Sequence, residues 1–171
     1  MEIERKFLIK DNYFDLTRYN FQEIQQAYIS TSPVIRVRKK NIYVAGSEIP
    51  SKEEYILTVK SKGMLSRQEF ELELTEEDYN NLLGKSEGNI ITKRRFLIPL
   101  DNNLTLELDY FKGLFQGLIM GEIEFSHEDE AKKYNLPDFI SKEVTFDKRF
   151  HNSNMSLMPK EDVSELLSLL H

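Results

Sequence analysis

Glu2, Glu4 and Lys6 place two carboxylates and an ammonium at alternate positions in the opening segment of the chain. Residues two apart on an extended strand share a face, with Cα atoms about 6.6 Å apart, so both carboxylates can converge on one cation. Glu107 with Asp109 and Glu122 with Glu124 repeat that spacing. Bases alternate in the same way: Arg36 with Arg38, Thr58 with Lys60, Lys93 with Arg95, while Arg67 heads the mixed run Glu69, Glu71, Glu73. Hard divalent cations take oxygen ligands from a few carboxylates, waters and phosphates. Guanidinium forks and ammonium groups suit phosphate oxygens. Acids for a metal ion and bases for a polyphosphate make one coherent site.

The elements that position these charges are strands. Ile3, Phe7 and Ile9 take the parity opposite Glu2, Glu4 and Lys6, with Arg5 breaking the apolar face at a rim. Ile35 and Val37, Leu57 and Val59, Phe70 and Leu72, Phe96 and Ile98, Leu106 and Leu108, and Ile123 and Phe125 do the same for the other pairs. An eighth segment sets Glu143, Thr145 and Asp147 against Val144 and Phe146. A period of two is the signature of a strand with unlike faces. A solvated sheet face usually mixes Thr, Ser, Gln and Lys, but these faces are almost wholly charged, with the two signs grouped by strand. The pattern predicts an α+β domain: an eight-stranded antiparallel closed barrel, charges inward and apolar faces outward beneath peripheral helices. The inward candidates, Glu73 and Glu143 included, number ten acids against seven bases, an excess of three carboxylates. Crowded carboxylates repel or bind protons unless a cation sits among them, and one or two divalent ions would resolve the excess.

Taken in order, these motifs resemble the CYTH superfamily, the triphosphate tunnel metalloenzymes. Glu2-x-Glu4-x-Lys6 is similar to its N-terminal ExExK signature. Arg36-x-Arg38, Lys60, Arg67-x-Glu69-x-Glu71, Lys93-x-Arg95, Glu107-x-Asp109, Glu122-x-Glu124 and Glu143-Val144-Thr145 follow in the family's order, over residues 1 to about 150. The resemblance implies an eight-stranded triphosphate tunnel dependent on Mg²⁺ or Mn²⁺, with Glu2, Glu4, Asp109, Glu122 and Glu124 as metal ligands. Lys6, Arg36, Arg38, Lys60, Arg67, Lys93 and Arg95 are expected to hold phosphate. Glu2, Glu4, Lys6, Glu69 and Glu71 are expected to take part in catalysis, with Glu69 or Glu71 orienting the bases or a water. The opening Glu-Ile-Glu-Arg-Lys-Phe most resembles the small bacterial inorganic tripolyphosphatases. A class IV adenylate cyclase, a thiamine or nucleoside triphosphatase, and a binding module without turnover stay open as alternatives.

Bulk properties fit one compact domain over residues 1–171. A net charge of −6 and a pI near 5.2 argue against a nucleic-acid surface. With no cysteine, neither a disulfide nor thiol catalysis is available. The charged start and the lack of a long apolar run point to a cytoplasmic protein without a membrane span; a homodimer is left open. His127, His151 and His171 are scattered, which argues against a histidine metal site. Metal-activated water then implies a rate rising above neutrality, provided the phosphate-binding lysines keep their usual pKa of about 10.4. Helices are expected from Thr75 to Gly84, from Ser126 to about Asn135, and from Pro159 to Leu170, the last as an outer helix on the barrel wall. Tyr28 faces inward with Arg36 and Arg38 if Ser30 to Pro33 makes a tight turn.

Overall fold

The computed structural model describes residues 1–170. Ten strands are formed: β1 (Glu2–Ile9), β2 (Phe21–Thr31), β3 (Val34–Tyr43), β4 (Lys52–Lys60), β5 (Ser66–Arg67), β6 (Glu69–Glu73), β7 (Glu87–Pro99), β8 (Thr105–Phe111), β9 (Ile119–Glu124) and β10 (Ile140–Glu143). Four α-helices accompany them: α1 (Glu76–Leu83), α2 (Glu128–Lys133), α3 (Asn152–Ser156) and α4 (Lys160–Ser168). All pairings are antiparallel, in the order β10-β1-β9-β8-β7-β2-β3-β4-β6, and β5 returns to pair with β1. Since only Gln68 separates β5 from β6, the two act as one interrupted stave. The sheet therefore closes on itself, joined at Glu2↔Arg67 and Ile3↔Ser66.

Eight staves result, but not the eight expected. β2 is a full wall strand between β7 and β3, and its inward residues Gln22, Ile24, Gln26 and Tyr28 are opposite Arg38, Arg36, Lys93 and their neighbours. Being uncharged, they gave no alternation of charge to read. The segment at Glu143 is not a tunnel strand. β10 lies beside β1 with Glu143 opposite Phe7, on the outer face, where its carboxylate is gripped by Arg5 at 2.6 and 2.7 Å. Arg5 is thus an outer-face anchor that also donates to the carbonyls of Ala131 and Tyr134, not a rim residue.

The apolar parity packs outside the barrel. Ile3, Phe7, Phe96, Leu106, Leu108 and Ile123 form one cluster with Ala131 of α2. Gly121 is packed closely there, since a Cβ would meet the ends of the Leu106 and Ile9 side chains at 2.7 and 2.8 Å and push them aside. Ala27, Val37 and Tyr55 are covered by Tyr79 of α1, whose N-cap Thr75 accepts from the Asp78 amide at 3.1 Å. The third cluster closes one end of the barrel: Tyr28, Ile91, Phe111, Phe115 and Met120 meet Met155 of α3 and Val163 and Leu166 of α4. The closing element is α3, which is too short to show a helical stripe, and α4 backs the closed end instead of lying on the wall. Asn89 ties α3 down by donating to the carbonyls of Met155 (3.2 Å) and Met158 (2.9 Å). Gly88, at φ +74°, passes so close to the Ser156 carbonyl that a Cβ would sit 2.1 Å from it. The tunnel is therefore a cup with a floor. No described helix is long and apolar enough to cross a membrane.

Candidate functional site

The cup encloses about 490 Å³. Alternation in β1 turns Glu2, Glu4 and Lys6 inward, and antiparallel register sets Glu4 opposite Glu124 and Lys6 opposite Glu122 on β9. On β8, Glu107 lies opposite Glu122. Across the lumen, β3 supplies Arg36, Arg38 and Lys40, β4 supplies Lys60, and β7 supplies Lys93 and Arg95. The strand order thus divides the wall into an acidic sector (β8, β9, β1 and the Glu69–Glu71 stave) facing a basic sector (β7, β2, β3, β4). Lys6 and Arg67 are the cations set into the acidic half.

The expected acid excess is not what lines the cup. Glu2, Glu4, Glu69, Glu71, Glu107, Glu122 and Glu124 are seven acids against the eight bases Lys6, Arg36, Arg38, Lys40, Lys60, Arg67, Lys93 and Arg95. Glu143 is outside, Glu73 is exposed beyond the mouth, and Lys40, unmarked in the sequence, joins the lining. Bases exceed acids in the lining by one, a difference that Asp109 in the floor makes up, and most charges of each sign stay in their own sector.

Ion pairs compensate the acidic half unevenly. Lys60 holds Glu2 at 3.0 Å, and Arg67 reaches Glu2 at 3.4 Å and Glu4 at 3.8 Å. Lys6 lies between Glu4 (3.6 Å) and Glu122 (3.5 Å). Burial would raise the Glu122 pKa, but Lys6 and Arg95 outweigh it and hold the carboxylate well below its usual range. Glu4 has the opposite balance: burial, then Glu122, push it up to about 7. Glu2 is raised by burial and a hydrogen bond with Glu69, and Glu124 by burial and Glu2. Ionised together, these carboxylates call for more positive charge than the protein places beside them. Among the described residues no three acidic or histidine side chains converge as a ready-made ion cage. The donors are nevertheless all carboxylate oxygens, the set that suits a hard divalent cation.

Asp109 lies apart from them on the floor. One oxygen accepts from Arg95 Nε at 2.7 Å, and the other accepts from Arg95 Nη2 at 2.9 Å and pairs with Lys93 at 2.8 Å. With its oxygens engaged and the residue only 1 % exposed, Asp109 anchors two bases in this structure. Burial would raise its pKa, but Arg95 and Lys93 outweigh burial and lower it. Lys93, itself 1 % exposed, is pushed down to about 7 by burial, against the pull of Asp109. Burial, with Arg36 nearby, also lowers Lys60. The expectation that the phosphate-binding lysines keep ordinary pKa values therefore fails for the free protein.

The basic half is the less satisfied. Arg36 and Arg38 are each 7 % exposed. Arg38 donates from Nε (2.9 Å) and Nη2 (2.6 Å) to the neutral amide oxygen of Gln26, and Arg36 donates from Nη2 to the Thr58 hydroxyl at 3.1 Å. The buried Arg36 Nε has no partner among the described residues. Two guanidinium ions held by neutral oxygens leave their charge for an anion in the lumen.

Sequence reasoning missed Gln26, Asn152 and His151. Asn152, at the start of α3, accepts from Gln26 Nε2 at 3.0 Å and from Lys93 Nζ at 3.1 Å, so the floor helix positions both arms of the basic sector. Neutral residues give no charge pattern, and a five-residue helix gives no stripe. Tyr28 faces the lumen, accepting from Gln26 Nε2 at 3.3 Å. Glu69 and Glu71 stand at the mouth, Glu71 in solvent.

Comparison with known proteins agrees with this geometry. The chain is 33% identical over 159 residues to an inorganic triphosphatase of Nitrosomonas europaea, covering 91% of this chain and 97% of that one. It is 31% identical over 167 residues to an inorganic triphosphatase of Acetivibrio thermocellus, covering 96% and 98%. A crystal structure of an inorganic triphosphatase superposes with a TM-score of 0.62 at 28% identity, covering 93% of this chain and 96% of the other. With a profile match to the CYTH domain across residues 1–160, and charged pairs on every stave where that family's motifs fall, the chain belongs to the CYTH family.

Proposed function

We propose that this protein is a metal-dependent triphosphatase that hydrolyses inorganic tripolyphosphate to pyrophosphate and orthophosphate. The observation that carries the reading is the pair of buried guanidinium ions, Arg36 and Arg38, whose side-chain hydrogen-bond partners among the described residues are neutral oxygens on the inner wall of a floored cup. A linear anion with several phosphate groups supplies the missing negative charge. The relatives named inorganic triphosphatases, matching nearly end to end, support the same substrate class.

In this reading Arg36, Arg38, Lys60, Lys93 and Arg95 bind the phosphate oxygens. Asp109 and Asn152 fix Lys93 and Arg95 on the floor, so the substrate meets cations already in place. Glu2, Glu4, Glu122 and Glu124 would hold one or two Mg²⁺ or Mn²⁺ ions, with Lys6 and Arg67 spacing those carboxylates. Such an ion, when bound, supplies charge neutralisation and acidifies a water. Glu69 and Glu71 orient groups at the mouth. Phosphoryl transfer of this kind needs positioning and charge more than a protein nucleophile. A cytoplasmic setting belongs to the same reading, supported by the cysteine-free chain.

Phosphorus NMR of products from tripolyphosphate and from ATP, each with Mg²⁺, with Mn²⁺ and with excess chelator, tests the proposal. Orthophosphate and pyrophosphate from tripolyphosphate, lost on chelation, are expected. Cyclic AMP from ATP with inert tripolyphosphate, or undiminished turnover with chelator, would refute it.

A further inference from the structure

A second cavity, of about 790 Å³, opens beside the floor of the cup and shares Lys60, Arg67 and His151 with it. Its rim is formed by the β2–β3 turn, the β4–β5 loop and the segment before α3, which bring in Lys62 and Lys148. Among its described lining residues there is no carboxylate, whereas the main mouth is edged by Glu69, Glu71, Glu107 and Glu124. The β4–β5 loop is held in shape at Gly63, φ +139°, where a Cβ would lie 2.2 Å from the Ser66 carbonyl.

The two openings therefore differ in sign. An anion leaving through the main mouth must pass Glu69, Glu71, Glu107 and Glu124, with Lys40 also in that lining, while an anion leaving sideways passes Lys60 and Arg67, both paired with Glu2, and then meets Lys62 and Lys148 with no further carboxylate among the described lining residues. We infer that the side cavity is a separate anion site that receives inorganic orthophosphate from the cup and conducts it to solvent. This rests on the triphosphatase reading for the source of the phosphate, but not for the site itself. Lys62 and Lys148 are exposed and contact none of the groups assigned to binding or catalysis.

The test is product inhibition of tripolyphosphate hydrolysis by added orthophosphate in the wild type, in Lys62→Glu/Lys148→Glu and in Lys85→Glu, an exposed charge reversal in the turn after α1 that lines neither cavity. Phosphate in a separate site binds with substrate present and lowers the maximal rate, as does phosphate rebinding to a cup that still holds pyrophosphate, and the variants separate the two. A maximal-rate effect in the wild type is expected, weakened about three- to fivefold or more in the double variant and unchanged in Lys85→Glu, for surface charges of ordinary strength. Purely competitive inhibition, or the same maximal-rate effect in all three proteins, would overturn the inference. If the wild type does not hydrolyse tripolyphosphate, the functional reading fails alone. Calorimetric titration with orthophosphate then decides the side site: weakened binding in the double variant sustains it, and equal binding removes it.

Discussion

Glu4→Gln should make the free protein more stable while removing its activity. Glu4 is 8 % exposed, and its pKa is pushed from 4.5 up to about 7 by burial and by Glu122. A carboxyl with a raised folded pKa contributes stability that is fully present below 4.5 and is lost as the pH rises through about 7. At roughly 1.4 kcal/mol per pH unit, ionised Glu4 costs the fold about 3 kcal/mol above that range. Glutamine removes this cost but also removes the partner of Lys6 at 3.6 Å and of Arg67 at 3.8 Å. The pull of Lys6 is already contained in the raised pKa and is not subtracted again; the poorer fit of a neutral amide beside these cations costs about 1–2 kcal/mol, leaving a net gain of about 1–2 kcal/mol at about pH 8. For a domain of this size that is a rise in Tm of roughly 2–8 °C. Thermal unfolding of metal-free wild type and variant should show the gain at about pH 8 and its disappearance near pH 4.5. Hydrolysis should fall at least ~100-fold, the loss usual for one charge-stabilising group. Equal destabilisation at both pH values would refute the reasoning, because Glu4 would then act as a satisfied structural ion pair.

The two halves of the wall should separate in titrations: Arg38→Ala should weaken tripolyphosphate binding measured with Ca²⁺, and Glu124→Gln should chiefly raise the Mg²⁺ concentration needed for activity. Unchanged titrations in both variants would contradict the division into acidic and basic sectors. With Lys93 pushed down to about 7, its proton is lost as the pH rises through neutrality, so KM should climb between pH 7 and about pH 9 while kcat also increases. Lys93→Arg should flatten the climb, and a wild-type KM independent of pH would argue that substrate does not meet Lys93. Asn152→Ala leaves Lys93 Nζ and Gln26 Nε2 short of an acceptor in the buried floor. A loss of about 1–3 kcal/mol in denaturant unfolding is expected, with a larger fall in kcat/KM than in kcat; wild-type stability would place Asn152 outside the network.

Charge alternation made most of the wall legible. Glu2, Glu4, Arg36, Arg38, Lys93, Arg95, Glu122 and Glu124 all face the lumen because strand periodicity permits no other outcome once their apolar neighbours are buried. The same rule misplaced Glu143, where period two held but the face was reversed, and Arg5, whose apparent break in pattern is an outer ion pair. It reached β2 only at Tyr28, through its spacing from Arg36 and Arg38, since Gln22, Ile24 and Gln26 carry no charge to reveal their direction. Asp109 could be placed inward but not assigned, because whether a carboxylate holds a cation or a guanidinium depends on which strand comes to lie beside it. The floor was the least legible part. It is built by a five-residue helix whose role depends on Gly88 and Asn89, more than sixty residues earlier, and on nothing local to itself.

Neighbouring staves elsewhere in the barrel are stitched over many residues, as with the ten pairs of Cα partners joining β2 to β3, but β5 and β1 meet at two. Such a cylinder behaves as a split ring. The joint holds the fewest backbone pairings, so parting the ring there would break fewer hydrogen bonds than parting it between other staves. Glu2 and Arg67 are both the clasp of that ring and part of its working surface. Any change that tunes the chemistry at these two positions also changes how tightly the ring is shut, so aperture and reactivity cannot be adjusted independently.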